Sequence, residues 1–245
     1  MAGTLHIWEQ GGTLVKSISM TGVLDQPRGI CYLGQRQFLA TSTADVSYFH
    51  LSDDLSSMYK TKQIDGVNSQ IPGSSKGLRG ICTDGQFFYC GYAGLISISG
   101  GVSQFTMDDF TYIRSPWSNS VTEVRSVCYD GRYFYATSPS LPQLLVVQFS
   151  FDASPSLVFV IRKGGNTDIL NALEFNGKDF FYVNDNVPRD LYVGDRDATN
   201  ISGNTSTFNS LEDVTFAPAE DFITSSHSLW VSGTNQKYII GVEIS

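Results

Sequence analysis

The chain has 245 residues, 41% of them hydrophobic and 16% charged. That balance suits one folded body with a sizeable core and excludes a disordered chain. A formal net charge of −8 repels phosphate backbones, so nucleic acid is not expected as a partner, and no apolar run nears the ~18 residues that a membrane-spanning helix needs.

Residues 4–20 predict a hairpin: Thr4–Trp8, a turn at Gly11-Gly12, then Leu14–Ile18. The first residues carry no basic segment and no long apolar stretch, so no signal peptide is read there.

From Arg28 onward one pattern recurs. Arg28-Gly-Ile-Cys-Tyr-Leu-Gly34 runs into Phe38-Leu-Ala-Thr-Ser42, and Arg79-Gly-Ile-Cys-Thr-Asp-Gly85 into Phe88–Tyr92. Arg125-Ser-Val-Cys-Tyr-Asp-Gly131 leads to Arg132-Tyr-Phe-Tyr-Ala-Thr-Ser138, Asn171-Ala-Leu-Glu-Phe-Asn-Gly177 to Phe181–Asp185, and Glu212-Asp-Val-Thr-Phe-Ala-Pro218 to Phe222–Ser226. The pattern begins at residues 28, 79, 125, 171 and 212. A period of about 40–50 residues in strand-like units indicates a propeller or a related array. Asp84-Gly85, Asp130-Gly131 and Asn176-Gly177 suit the positive φ angles of a type I′ hairpin turn.

A third strand is expected in each unit at Val46–Leu51, Leu95–Ile98, Leu144–Phe149, Leu191–Val193 and Leu229–Val231, and a fourth at Met58–Ile64 and Leu157–Ile161. The expected fold is all-β: a single domain, residues 1–245, forming a β-propeller of five four-stranded blades. The last blade is closed by Lys237–Ile244 and the N-terminal hairpin; a sixth blade built from Tyr238–Ile244 and Leu5–Ile18 is the alternative.

The first strand of each unit should line the central axis. Its second position is small in four units (Gly29, Gly80, Ser126, Ala172), as crowding there requires, and Asp213 departs from this. Cys31, Cys82 and Cys128 hold equivalent positions in three units, too far apart for a disulfide. With Cys90 they are expected to be free, buried thiols, which suits the cytoplasm or a virion assembled there. Val67–Gly77, Arg114–Ser120 and Asp195–Ser206 are expected to be polar connections.

Catalytic motifs are poor. Gly73-Ser-Ser-Lys-Gly77 matches the hydrolase elbow in spelling, but it lies in a linker-like stretch with no helix after it. His6, His50 and His227 fall in different units, without metal-ligand spacing. Asp195-x-Asp197-x-Thr199 starts like a calcium loop but has Asn200 and Ser206 where Gly and Glu are needed. The sequons at Asn200 and Asn204 lie in the same stretch. No catalytic residue, metal or cofactor is assigned.

The units resemble NHL-like and YVTN-like β-propeller repeats in their small-apolar first strand, Asp-Gly turn and aromatic second strand. That resemblance implies a binding platform, with hydrolases, lactonases and lyases as an enzymatic minority. In the metal-dependent gluconolactonase-like branch, Glu, Asn and Asp stand at the channel mouth. Asn171 in Asn171-Ala-Leu173 resembles that family's Asn-Gly-Leu, and Glu212 falls where its Asp would be. Arg28, Arg79 and Arg125 replace its early acidic partner.

The expected function is therefore a non-enzymatic binding or structural module, in the manner of a virion or tail-associated assembly component. Its candidate ligand site is the channel mouth, formed by Arg28, Arg79, Arg125, Asn171 and Glu212, with Trp117 nearby. Protein partners or an anionic or glycan ligand are expected, in an oligomer or larger assembly. A lectin-like propeller, with Trp117 stacking on sugar, and a lactonase-like hydrolase are the alternatives. The arginines read either as an anion site or as a structural lock paired with Glu212, Asp25, Glu123 or Asp213.

Overall fold

Runs of Phe, Tyr, Val and Ile fit a pleated surface packed on both faces, and they fold here into strands. The computed structural model describes residues 3–9, 14–94, 99–118, 122–139, 145–150, 156–162, 170–176, 178, 180–184, 189–194, 201–208, 211–218 and 237–244. Among these no α-helix occurs, and Val67–Gln70 forms a short 3-10 turn. None of the described residues form a helix long and apolar enough to cross a membrane.

The chain opens with β1 (Gly3–Glu9) and β2 (Leu14–Ser19). The first complete sheet follows: β3 (Gly29–Gly34), β4 (Gln37–Thr41), β5 (Val46–Leu51) and β6 (Met58–Ile64). The second contains β7 (Ser74–Thr83), β8 (Phe87–Gly94), β9 (Gly101–Thr106) and β10 (Tyr112–Ser118). The third contains β11 (Ser126–Tyr129), β12 (Phe134–Thr137), β13 (Leu145–Ser150) and β14 (Ser156–Arg162). The fourth contains β15 (Leu170–Phe175), β16 (Phe180–Asn184), β17 (Arg189–Gly194) and β18 (Ile201–Phe208). In the fifth, β19 (Leu211–Pro218) pairs with β20 (Lys237–Ile244), β20 with β1, and β1 with β2. All pairings are antiparallel. Several antiparallel four-stranded sheets of this kind fit a β-propeller-like fold.

Each sheet has two faces to bury, and alternation along one strand serves both. On β4, Phe38 and Ala40 pack with Leu5, Ile7 and Ala217 of the fifth sheet, while Leu39 turns to Leu78, Ile81 and Phe88 of the second. On β8, Phe88 and Cys90 face the first sheet, and Tyr89 faces Val127 and Phe134 of the third. Phe38 stacks on Phe49 at 5.2 Å, and Tyr135 meets Phe180 of the fourth sheet edge-on at 4.7 Å. Fully burying each such ring contributes roughly 1.5–3 kcal/mol.

Several expectations need correction. The Asp-Gly turns are not type I′, because only the glycine takes positive φ (Gly85 at 87°, Gly131 at 92°). The aspartate instead receives two backbone N–H groups: Gln86 and Phe87 donate to Asp84 Oδ1, and Arg132 and Tyr133 to Asp130 Oδ1. The second carboxylate oxygen accepts the hydroxyl of a tyrosine in the next strand, Tyr89 at 2.7 Å or Tyr135 at 2.9 Å. Three consecutive positive-φ residues, Gly34, Gln35 and Arg36, occur in the first unit, which has Leu33-Gly34 in place of Asp-Gly.

The stretch Arg114–Ser120, expected to be a connection, lies largely in β10, whose Pro116 is tolerated because β10 is the outer strand. Likewise residues 201–206 of the polar stretch lie in β18, an outer strand, and 195–200 lie outside the described residues. The Ser74–Gly77 stretch begins β7 rather than forming a linker. In the second sheet the third strand is Gly101–Thr106, while 95–98 lie outside the described residues, as do 222–226 and 229–231 of the fifth unit. The strand paired with β19 is β20. The four cysteines are free and buried, and loss of hydration raises all four thiol pKa values.

Candidate functional site

The first strands β3, β7, β11, β15 and β19 meet closely. Gly80 N–H donates to the backbone O of Arg125 at 2.7 Å, and Ile30 N–H donates to the carboxylate Oδ2 of Asp213 at 3.1 Å. A Cβ on Gly29 would lie 2.5 Å from Arg79 O, and one on Gly80 2.5 Å from Ser126 Cα. No side chain fits at such an approach. A second device repeats with the Ala-Thr-Ser motif. Thr41 Oγ1, at the end of β4, donates to Arg79 O at 2.6 Å, and Thr137 Oγ1, at the end of β12, donates to Asn171 O at 3.4 Å. Each threonine thus holds the first residue of the next unit.

These contacts bring the first residues of all five units together. Arg28, Arg79, Arg125, Asn171 and Glu212 line one cavity of about 160 Å³, with Glu123 as the sixth lining residue. Arg28 Nη1 donates to Glu212 Oε2 at 3.1 Å. Arg79 Nε donates to Glu123 Oε1, whose other oxygen lies 3.7 Å from Arg125 Nε. Arg125 Nη1 donates to Asn171 Oδ1 at 3.0 Å, and Asn171 Nδ2 donates to Glu212 O at 3.3 Å. Of the carboxylates proposed from sequence as counter-charges, Glu212 and Glu123 serve. Asp25 lies in a different cavity, beside Ser42, Asp45 and Lys60. Asp213 is buried and bonds Ile30 and Ser126 instead.

Asp213 holds the position that is small in the other four units, and it is 1% exposed. Oδ2 accepts Ile30 N–H, and Oδ1 lies 2.8 Å from Ser126 Oγ. Loss of hydration pushes its pKa up to about 8, against the Ser126 and backbone hydrogen bonds that pull it down. Loss of hydration also raises Glu174 to about 8, and the nearby Asp213 charge adds to that shift. Asp213 was legible only as an exception to a small-residue pattern. The threonine device was legible as a repeated Ala-Thr-Ser.

Trp117 is not brought to the mouth. It is 8% exposed, packed with Cys82, Tyr89 and Val102 in the core between the second and third sheets. A sugar-stacking platform needs an open ring face, which Trp117 does not offer.

The mouth does not fit a divalent cation. Three guanidinium groups stand there, and Glu212 and Asn171, the residues that resemble metal ligands, accept hydrogen bonds from Arg28 and Arg125. Among the described residues no group of three or more His, Cys, Asp or Glu is placed to hold a metal.

No family model matches the chain, and comparison with curated proteins finds no match. A solved structure of a luciferin-regenerating enzyme superposes with a TM-score of 0.52 at 11% identity, over 93% of this chain and 80% of that one. At that identity the likeness is one of fold.

Proposed function

We propose that the chain forms a closed five-bladed propeller and acts as a non-enzymatic binding module, engaging a negatively charged group at its channel mouth. The closure reading is supported by β1 and β2 completing the sheet of β19 and β20, and by first strands that contact their neighbours from β3 through β19 and back to β3. The binding reading is carried by one observation: three arginines from three units line one small cavity. Guanidinium groups suit carboxylates and other oxyanions through forked donors. The context proposed is an assembly, such as a virion or tail, in which an acidic group of a neighbouring protein enters the mouth.

A thermal-shift series of small anions at constant ionic strength tests this. An anion at ten times its dissociation constant stabilises by about 1.4 kcal/mol, or about 3–6 °C for a chain of this size. The wild type should show such a shift and Arg79→Ala should lose it. If no anion raises the wild-type melting temperature, the mouth is a structural lock and the binding reading fails.

A further inference from the structure

The ion pairs at the mouth form an open chain. Arg79 and Arg125 share Glu123, Arg125 reaches Asn171, Asn171 reaches the backbone of Glu212, and Glu212 pairs with Arg28. The remaining junction, between Arg28 and Arg79, is different. Among the described residues Arg28 pairs with Glu212 alone and Arg79 with Glu123 alone, so no carboxylate bridges the two. Yet β3 and β7 are in close contact there: Thr41 Oγ1 bonds Arg79 O, and Gly29 leaves no room for a Cβ between them. Arg28 Nε is also buried without a hydrogen-bond partner. An orphaned, charge-bearing donor is costly unless something accepts from it.

We infer that a single carboxylate binds between Arg28 and Arg79 and closes the ring, the Arg28 side chain turning so that Nε, shut off from solvent in this structure, donates to it. This rests on the proposed binding role of the mouth and names its ligand class. Three guanidinium charges against two carboxylates leave one positive charge among the lining residues, which one carboxylate neutralises. A cavity of about 160 Å³ has room for roughly five waters' worth of ligand, by the ~30 Å³ share of each. That suits an acetate-sized group or the end of an acidic side chain. A phosphate dianion would overcharge the site.

Calorimetric titration tests this with two ligands, acetate and a tripeptide whose sole carboxylate is a central Glu, both termini being blocked. Inorganic phosphate is the control. One site is expected, on the order of millimolar for acetate. Tighter binding of the peptide identifies a protein partner as the source, and tighter binding of acetate a free organic acid. Arg28→Lys keeps the charge facing Glu212 but removes Nε, and it should weaken carboxylate binding by about tenfold. Far-UV circular dichroism and melting confirm that the variant is folded. If carboxylates bind the wild type and Arg28→Lys equally while Arg125→Lys abolishes binding, the mouth is a binding site but the bridging position is wrong. Binding of phosphate without either carboxylate overturns the ligand class. No binding of any of the three overturns both readings.

Discussion

Ser126 Oγ lies 2.8 Å from Asp213 Oδ1, joining residues 87 apart in sequence, in β11 and β19. The same hydroxyl lies 3.2 Å from Leu173 O and accepts Leu173 N–H at 3.1 Å. Ser126 donates to the Asp213 carboxylate, and a serine has one proton to give, so its approach to Leu173 O is served only when Asp213 does not take that proton. Burial opposes the charge that this hydrogen bond favours, and burial is the cause that raises the Asp213 pKa.

Stability should therefore fall as pH rises. Asp213 moves from an ordinary 3.8 to about 8, and Glu174 from 4.5 to about 8. Between about pH 4 and pH 8 the folded state holds more protons than the unfolded one, so unfolding free energy declines through that window and levels off above it. Asp213→Asn keeps the shape and an N–H donor while removing the titration. Urea unfolding of this variant from pH 5 to 8.5 should give a shallower decline than wild type. Equal slopes mean that Asp213 is ionised throughout.

Glu123 bridges two arginines, so Glu123→Gln leaves two guanidinium groups without their carboxylate. The groups are partly solvated, and the expected cost is roughly 1–2 kcal/mol. Melting should drop by several degrees, and added acetate should restore part of the loss. A variant that melts like wild type shows that Glu123 adds nothing to the ring.

Gly80→Ala places a methyl 2.5 Å from Ser126 Cα and 2.8 Å from Arg125 O. Both obstacles are backbone, so the first strands must separate. Overpacking of this kind costs about 1–3 kcal/mol, measurable as a lower denaturant midpoint. An unchanged midpoint would mean that β7 and β11 are not held at this distance.

Residues 3–9 pair with β20 along its length, from Gly3 opposite Ile244 to Glu9 opposite Tyr238. Deleting residues 1–20 should expose β20 as a long edge strand and cause aggregation or loss of cooperative unfolding. A truncated chain that stays monomeric with unchanged melting shows that the hairpin is an appendage.

Much of this was legible because a repeat superimposes equivalent positions. Arg28, Arg79, Arg125, Asn171 and Glu212 could be brought to one place on register alone, since each holds the same position of the repeated pattern. Local signals misled where the role of a residue depends on a neighbouring sheet. Trp117 reads as an exposed loop aromatic in a Ser/Pro context, and only the packing of β10 buries it. Leu95–Ile98 reads as the third strand of the second unit, whereas that strand is β9, Gly101–Thr106. Asp84 and Asp130 suggested a turn type, but their carboxylates accept backbone N–H groups and a tyrosine hydroxyl, a contact invisible to dipeptide preference. The gap between Arg28 and Arg79 depends on which arginine Glu123 chooses, and spacing alone does not decide that.

Anomalous diffraction from crystals of the full chain soaked in bromide tests the central claim most directly, since it locates anions without assuming their chemistry. The account expects a peak in the mouth, between the Arg28 and Arg79 guanidinium groups, at an occupancy above that of surface sites. Bromide bound at scattered surface positions with none in the mouth would contradict it.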